Sequence, residues 1–418
     1  MIDRRKFTTL LGAAVVAPEF SPALSWGQVV KNQTVFYSAV GSDLTLYAMD
    51  VDGAALVKRD TVTLPSDIQY AWPHPSKPFL YVASGDRNPR AAADRHFAHA
   101  FRMDPATGTL RPHGEPQNLP SRPVHASVDM AGEYLLVAHN EPSSLTVHRI
   151  NQDGTLGERV SQPNLLDTGK YAHQIRAMPD NQHVILVTRG NNAPGDNPVN
   201  PGSLKIFGFK AGVLTNLAAI QPGDGMRFGP RHLDFHPTQP WVYVSIESQS
   251  KLSVYRRDPA TGLSREPLFV KETLSDPSVS GPRQHAGAIH VHPNGRFVYL
   301  TNRDSGTVDI EGRKVSAGGQ NNVAVFAIDT ATGEPTLIQN IEAHAIELRT
   351  FAIDPSGRLL VAASIQPVPV REGGTIKTLP AGLSVFRIGA DGKLDFVRKY
   401  DVNVGDRTQF WSGMVTLA

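Results

Sequence analysis

Leu44-Thr-Leu-Tyr-Ala-Met-Asp-Val-Asp-Gly53 is an alternating strand that runs into a tight glycine turn and then into a new strand. The phrase returns at Phe97 to Gly108, Leu145 to Gly154, Leu204 to Gly212, Leu252 to Gly262, Val323 to Gly333 and Leu383 to Gly392, with closing glycines 46 to 71 residues apart. Short strands repeating at roughly this interval are the mark of a β-propeller, in which each repeat is one blade. Seven copies predict seven blades and place functional residues at one end of a central channel. The fold class is therefore all-β, a seven-bladed propeller.

A second phrase keeps the same period. A turn rich in Pro, Asp or Gly leads into an apolar strand at Pro75 to Val82, Asp129 to Val137, Pro179 to Val187, Pro237 to Val244, Pro293 to Leu300 and Asp354 to Val361. These runs read as innermost strands buried on both faces. The first blade lacks one, and the tail Phe410 to Ala418 is expected to supply it. Pairing the C-terminal strand with the first blade closes the ring and leaves no open edge.

The repeats fill residues 30–418, so one large domain is expected rather than two or three. A net charge of +2 without a Lys/Arg run gives no reason to expect nucleic acid. The absence of cysteine removes disulfides, thiol nucleophiles and thiolate metal sites. Asp3-Arg4-Arg5-Lys6-Phe7 precedes the apolar stretch Thr8 to Ala17 and the small residues Ala23-Leu24-Ser25. That pattern reads as a twin-arginine export signal over residues 1–25, which implies a periplasmic protein without a stable membrane anchor. The insertions at about residues 190–202, 305–321 and 367–381 read as loops.

Polar phrases flank the strands where propeller loops reach the channel mouth: Tyr171-Ala172-His173-Gln174, Gly229-Pro230-Arg231-His232, Glu247, Asn302-Arg303, Pro123-Val124-His125 and Leu348-Arg349. Equivalent places in successive blades converge on one axis. His125 and His285 are candidates for lining the pocket, whereas His232, His236, His290 and His292 also suit blade-to-blade hydrogen bonding. His290 and His292 have i,i+2 spacing that suits a metal, but no third ligand accompanies them. No phosphate loop and no G-x-S-x-G elbow is present, so neither a cofactor nor an acyl-serine route is implied.

The block from Gly229 to Pro237, Val244-Ser-Ile-Glu247 and the stretch from Ala288 to Arg303 resemble the propeller lactonase family. That family holds seven-bladed bacterial 6-phosphogluconolactonases and fungal carboxymuconate-cyclising enzymes. The resemblance implies that His173, Glu247, Arg231 and Arg303 are catalytic. His125, His232, His285 and Arg349 are the expected substrate-binding residues. Departures are Ile246, where relatives carry Asn, and Thr188-Arg189-Gly190-Asn191, where relatives carry an acidic phrase. Histidine or a carboxylate can take the proton of a water, and an arginine fork can hold a carbonyl oxygen or an anion. The expected activity is hydrolysis of a small-molecule lactone, gluconolactone or its 6-phosphate. The alternatives are a carboxymuconate lactonising isomerase and a non-enzymatic binding platform. The sequence leaves open whether His173 or Glu247 is the base.

Overall fold

Four of the seven recurring glycine turns are clamped by a tyrosine of the blade before. The Tyr81 hydroxyl donates to the Gly154 carbonyl at 3.0 Å, Tyr243 to Gly333 at 3.0 Å and Tyr299 to Gly392 at 2.8 Å, while Tyr37 reaches Gly108 in the same way. Three of the seven turns share the lettering Asp-x-Ala-Thr-Gly, and the aspartates at 104, 258 and 329 accept the amide hydrogens two and three residues on. Such Asx turns hold the hairpin in register. Gly154, at φ +89°, also lies against Phe79, where a Cβ would sit 2.2 Å from the ring. Glycine is therefore required there both for its conformation and for space.

The computed structural model describes residues 33–86, 95–191, 199–281 and 283–417. The leader read in residues 1–25 lies outside the described residues. Seven antiparallel sheets form the blades, and each has its own innermost strand: Gln409–Thr416, Ile68–Pro73, Pro123–Val128, Ala172–Ala177, Pro230–Phe235, Gln284–Val291 and Leu348–Ile353. An apolar cluster fills each of the seven interfaces between neighbouring blades. The seventh interface joins Phe36 and Leu56 of the first blade to Leu359 and Leu383 of the last.

Ring closure follows the expectation. Gln409–Thr416 pairs antiparallel with Thr34–Val40 and forms the inner edge of the first blade, with Trp411 buried against Tyr37 and Leu80. The assignment of the apolar phrase is corrected. The runs at 79–85, 134–139, 183–188, 241–246, 297–304 and 359–364 are second strands, each between an innermost and a third strand. Being paired on both edges and covered on both faces, they carry the most hydrophobic lettering. The innermost strands border the channel and are free to be polar.

Two of the three insertions are also corrected. Thr307–Ile310 pairs with Arg313–Ser316, and Val368–Glu372 pairs with Thr375–Leu379, so each forms a hairpin between the second and third strands of its blade. The turns Glu311-Gly312 and Gly373-Gly374 have both central residues at positive φ, the geometry that matches strand twist in a two-residue hairpin.

His236 and His292 are blade-to-blade staples. Their Nε2–H groups donate to Gly295 and Gly357, both at 2.9 Å, while Nδ1 accepts backbone amide hydrogens. Among the described residues no helix is long and apolar enough to cross a membrane.

Candidate active site

Every innermost strand carries a β-bulge close to its N-terminal end. In the single-residue bulges, the residue without a register partner is Gln69, Val124, His173, Arg231, Arg349 or Phe410. A bulge bends its strand and re-aims the side chain at that point. Three of these positions are His173, Arg231 and Arg349. Second strands run the opposite way and end at the same mouth, where they deliver Arg189, Glu247 and Arg303. Register places Thr188 opposite Ala172 and Ile246 opposite Pro230, so Arg189 and Glu247 hold equivalent positions in neighbouring blades.

Glu247 begins a short 3-10 turn, Glu247–Gln249, and its amide donates to the Gly229 carbonyl at 2.9 Å. Gly229 permits that approach, since a Cβ there would lie 2.3 Å from Ser248 Oγ. The buried Glu247 carboxylate gathers three guanidinium groups. Arg303 Nη2 donates to Oε1 at 2.5 Å, Arg231 Nε stands 3.1 Å from the same oxygen, off the hydrogen-bond line, and Arg189 Nη1 lies 3.2 Å from Oε2. Arg303 Nη1 also reaches Glu347 at 3.4 Å. Burial pushes the Glu247 carboxyl up, but Arg189, Arg303 and Arg231 together hold it far below the usual carboxylate range. Burial, followed by the charge of Arg303, brings the Arg231 guanidinium down to about 9, still cationic at neutral pH.

A column of rings adjoins this knot. His173 and His232 have centroids 5.0 Å apart, His232 and His125 6.2 Å, and His125 and Tyr70 3.9 Å. His125 and His232 belong to blades separated by another, so the two rings bring non-adjacent blades together. Burial, reinforced by Arg231, keeps His173 and His232 well below the ordinary histidine pKa; burial followed by Arg176 does so for His125. All three are neutral at pH 7. His232 Nδ1 lies 3.3 Å from Arg231 Nη1, which can only donate, so its lone pair is engaged. His125 Nδ1 accepts the Ile175 amide at 3.5 Å, leaving a buried Nε2–H without a partner. His173 Nδ1 is buried and unpartnered, and of the three rings His173 alone has a lone pair that no donor engages.

All eight residues singled out from the sequence stand at this mouth, but they do not form one contact set. Glu247, Arg231 and Arg303 touch; His173 stands beside His232 and Arg231, and none of the contacts of Glu247 is to it. His285 faces Arg303 in register, and Arg349 lies over the Phe410 ring at 3.9 Å. Sequence reasoning passed over Arg189, Glu347 and Tyr70. The signal for Arg189 was its position after a second strand, matching that of Glu247. His290 and His292 diverge: His290 Nδ1 lies 3.5 Å from Asp234, whereas His292 serves as a staple. Among the described residues no three His, Cys, Asp or Glu side chains cluster as metal ligands.

Three further buried histidines, away from this site, make stability depend on acid. Burial brings His99, His139 and His148 down to about 4 in the folded protein. The unfolded chain titrates near ~6.5 and so binds more protons between the two values. The stabilisation is complete above the unfolded value and is lost as pH falls through the folded one. The thermal midpoint is expected to fall steeply between pH 6.5 and pH 4; a midpoint constant over that window would contradict the burial of neutral rings.

The class is thus a seven-bladed propeller whose bulged inner strands and second strands together bring arginines, a glutamate and neutral histidines to one channel mouth. The chain matches the family described as Lactonase, 7-bladed beta-propeller over residues 34–366, and it belongs to that family. The 6-phosphogluconolactonase of Bacillus subtilis is 27% identical over 271 residues, covering 63% of this chain and 70% of that protein. The 6-phosphogluconolactonase of Erwinia tasmaniensis is 25% identical over 374 residues, covering 89% and 96%. The periplasmic gluconolactonase of Pseudomonas aeruginosa shares the fold, with a TM-score of 0.70 at 20% identity over 93% of this chain and 99% of that one.

Proposed function

We propose that the protein is an exported hydrolase of a sugar lactone, with His173 as general base. The observation that carries this reading is the free ring nitrogen of His173 beside Arg231. A water oxygen attacks the lactone carbonyl carbon while His173 takes the water proton. The negative charge that develops on the carbonyl oxygen falls to Arg231. The bond to the ring oxygen then breaks, the imidazolium returns its proton to that oxygen, and the products are a hydroxyl group and a carboxylic acid. Glu247 does not serve as a base, because its carboxylate is held by arginines and is too weakly basic. Its role is to fix Arg231 and Arg303 before substrate arrives, so that little reorganisation accompanies the reaction.

The names of the curated relatives favour hydrolysis over lactonising isomerisation, and the Arg4-Arg5 leader supports export. The fold is compatible with export, since it houses a periplasmic gluconolactonase in P. aeruginosa. A pH-indicator assay of the full chain on gluconolactone, its 6-phosphate and a carboxylated muconolactone tests the chemistry. Acid release above the uncatalysed rate is expected on a sugar lactone. Silence on all three, or isomerisation of the muconolactone alone, overturns the reading. In cell fractions, Arg4→Lys with Arg5→Lys is expected to trap the protein in the cytoplasm, and an unaltered periplasmic fraction would contradict export.

A further inference from the structure

The three guanidinium groups around Glu247 differ in one respect that bears on substrate choice. The side chains of Arg231 and Arg303 are 1% and 8% exposed, whereas that of Arg189 is 38% exposed. The two inner arginines share Oε1 of Glu247, and Arg303 is held from its other side by Glu347. Both are held in place by these carboxylates. Arg189 alone takes Oε2, through one terminal nitrogen, and its buried Nε has no partner. Of the three guanidinium groups, that of Arg189 alone keeps a large part of its surface in solvent. The mouth also carries more cations than anions: Arg189, Arg231, Arg303 and Arg349 stand against Glu247 and Glu347.

The backbone beneath Arg189 is fixed. Its amide donates to the Tyr171 carbonyl at 3.0 Å, and the Gly190 amide donates to Lys170 at 3.0 Å, so it runs alongside the segment that leads into His173. Asn191 pairs with Asn200 across the base of the insertion, and a Cβ on Gly190 would lie 2.3 Å from the Asn200 carbonyl. A guanidinium anchored in this way, near the base but on the solvent side of the knot, is placed to meet the end of a substrate remote from its lactone carbonyl.

We propose that Arg189 is the specificity-determining residue of this site and selects a lactone whose far end bears an anionic group, a phosphate ester or a second carboxylate. The inference rests on the lactonase reading above and narrows it. The planar fork of arginine matches the oxygen spacing of either group. On binding, the substrate oxygens take the exposed arm of Arg189, and Glu247 keeps Arg231 and Arg303. A carboxylate at the far end also removes the conflict between an arginine-rich mouth and an exported enzyme, because such lactones need no phosphorylation.

The test uses the full chain and three lactones: gluconolactone, its 6-phosphate and a glucaric acid monolactone. The wild type is expected to favour at least one charged lactone, and which one identifies the anion. In Arg189→Ala the ratio of kcat/KM for that lactone to kcat/KM for gluconolactone is expected to fall about 10- to 100-fold, the worth of a charged hydrogen bond. Arg189→Lys is expected to lie between, since it keeps the charge and loses the fork. A wild type with no preference, or a variant in which both lactones fall in step, overturns the proposal. Binding of orthophosphate, followed by calorimetry, separates this proposal from the lactonase reading. If no lactone turns over, the hydrolase reading fails, yet phosphate affinity weakened tenfold or more in Arg189→Ala sustains the anion site. Equal affinity in both proteins overturns it.

Discussion

Glu247→Gln is expected to abolish most activity and to lower stability in the same protein. The substitution keeps the shape and removes the one charge that three guanidinium groups share. Arg231 is then left cationic and almost fully buried, with Arg303 close enough to repel it. Breaking a buried ion pair by removing one partner costs roughly 3–5 kcal/mol. The cost here falls towards the low end, because Glu347 still holds Arg303. Displacing the donor aimed at the carbonyl oxygen is expected to cost about 10²–10³-fold in kcat, the usual effect of losing one oxyanion contact. Thermal melts beside turnover on the preferred lactone check both effects. Adding Arg303→Gln to Glu247→Gln is expected to restore part of the stability and none of the activity. Activity within about threefold of wild type in Glu247→Gln would show that the arginine knot is structural only.

The second large effect belongs to His173. Replacement by Asn is expected to lower kcat by about 10²–10⁴-fold, the contribution typical of general-base catalysis. Stability should change much less than in Glu247→Gln, because Nδ1 of the ring has no hydrogen-bond partner to lose. His232→Asn and His125→Asn are expected to be milder in kcat, since the basic nitrogen of each ring is already engaged. The pH profile gives an independent reading. Burial first, then Arg231, His232 and Arg189, holds the His173 pKa well below 6.5. The ring is therefore neutral and competent through the neutral range. In kcat/KM the activity is expected to be flat near pH 7 and to fall only in acid, with an apparent pKa well below 6.5. A limb centred near 6.5 or higher would assign the base elsewhere. A bound anion that neutralises Arg189 would raise the His173 pKa in the complex, so the limb in kcat should lie above that in kcat/KM for a charged lactone.

The blade count was legible because the feature that repeats is under physical constraint. At Gly108, Gly154, Gly333 and Gly392 a tyrosine hydroxyl from the preceding blade takes the turn carbonyl, and packing around these turns leaves little room for a side chain. Ring closure was reached from a mismatch of one between the two phrases, but the uncounted copy is the second strand Thr34–Val40, which the first blade has; what the C-terminal strand supplies is the innermost strand. The apolar phrase was misassigned because the second strand, not the innermost, is the most enclosed in each blade. One hairpin was hidden because Glu311 holds a left-handed turn position, where glycine or asparagine is the usual signal, whereas the Gly373-Gly374 turn of the other carried that signal and was passed over.

At the site, residue types could be read but their division of labour could not. The sequence left His173 and Glu247 as rival bases. The choice depends on three arginines around one carboxylate and on which histidine lone pairs are taken, and both arise from blades far apart in sequence. The bulges that re-aim His173, Arg231 and Arg349 leave no local lettering. Arg189 was visible only as a departure from an acidic phrase, and its meaning depends on its register match with Glu247 across two blades.

The most direct test is single-turnover and steady-state hydrolysis of the preferred lactone at pH 7 by wild type, His173→Asn and Glu247→Gln, with folding verified by circular dichroism for each. The account predicts acid release well above the uncatalysed rate in the wild type and a loss of at least about a hundredfold in both variants. A folded His173→Asn protein that turns over like the wild type would contradict it.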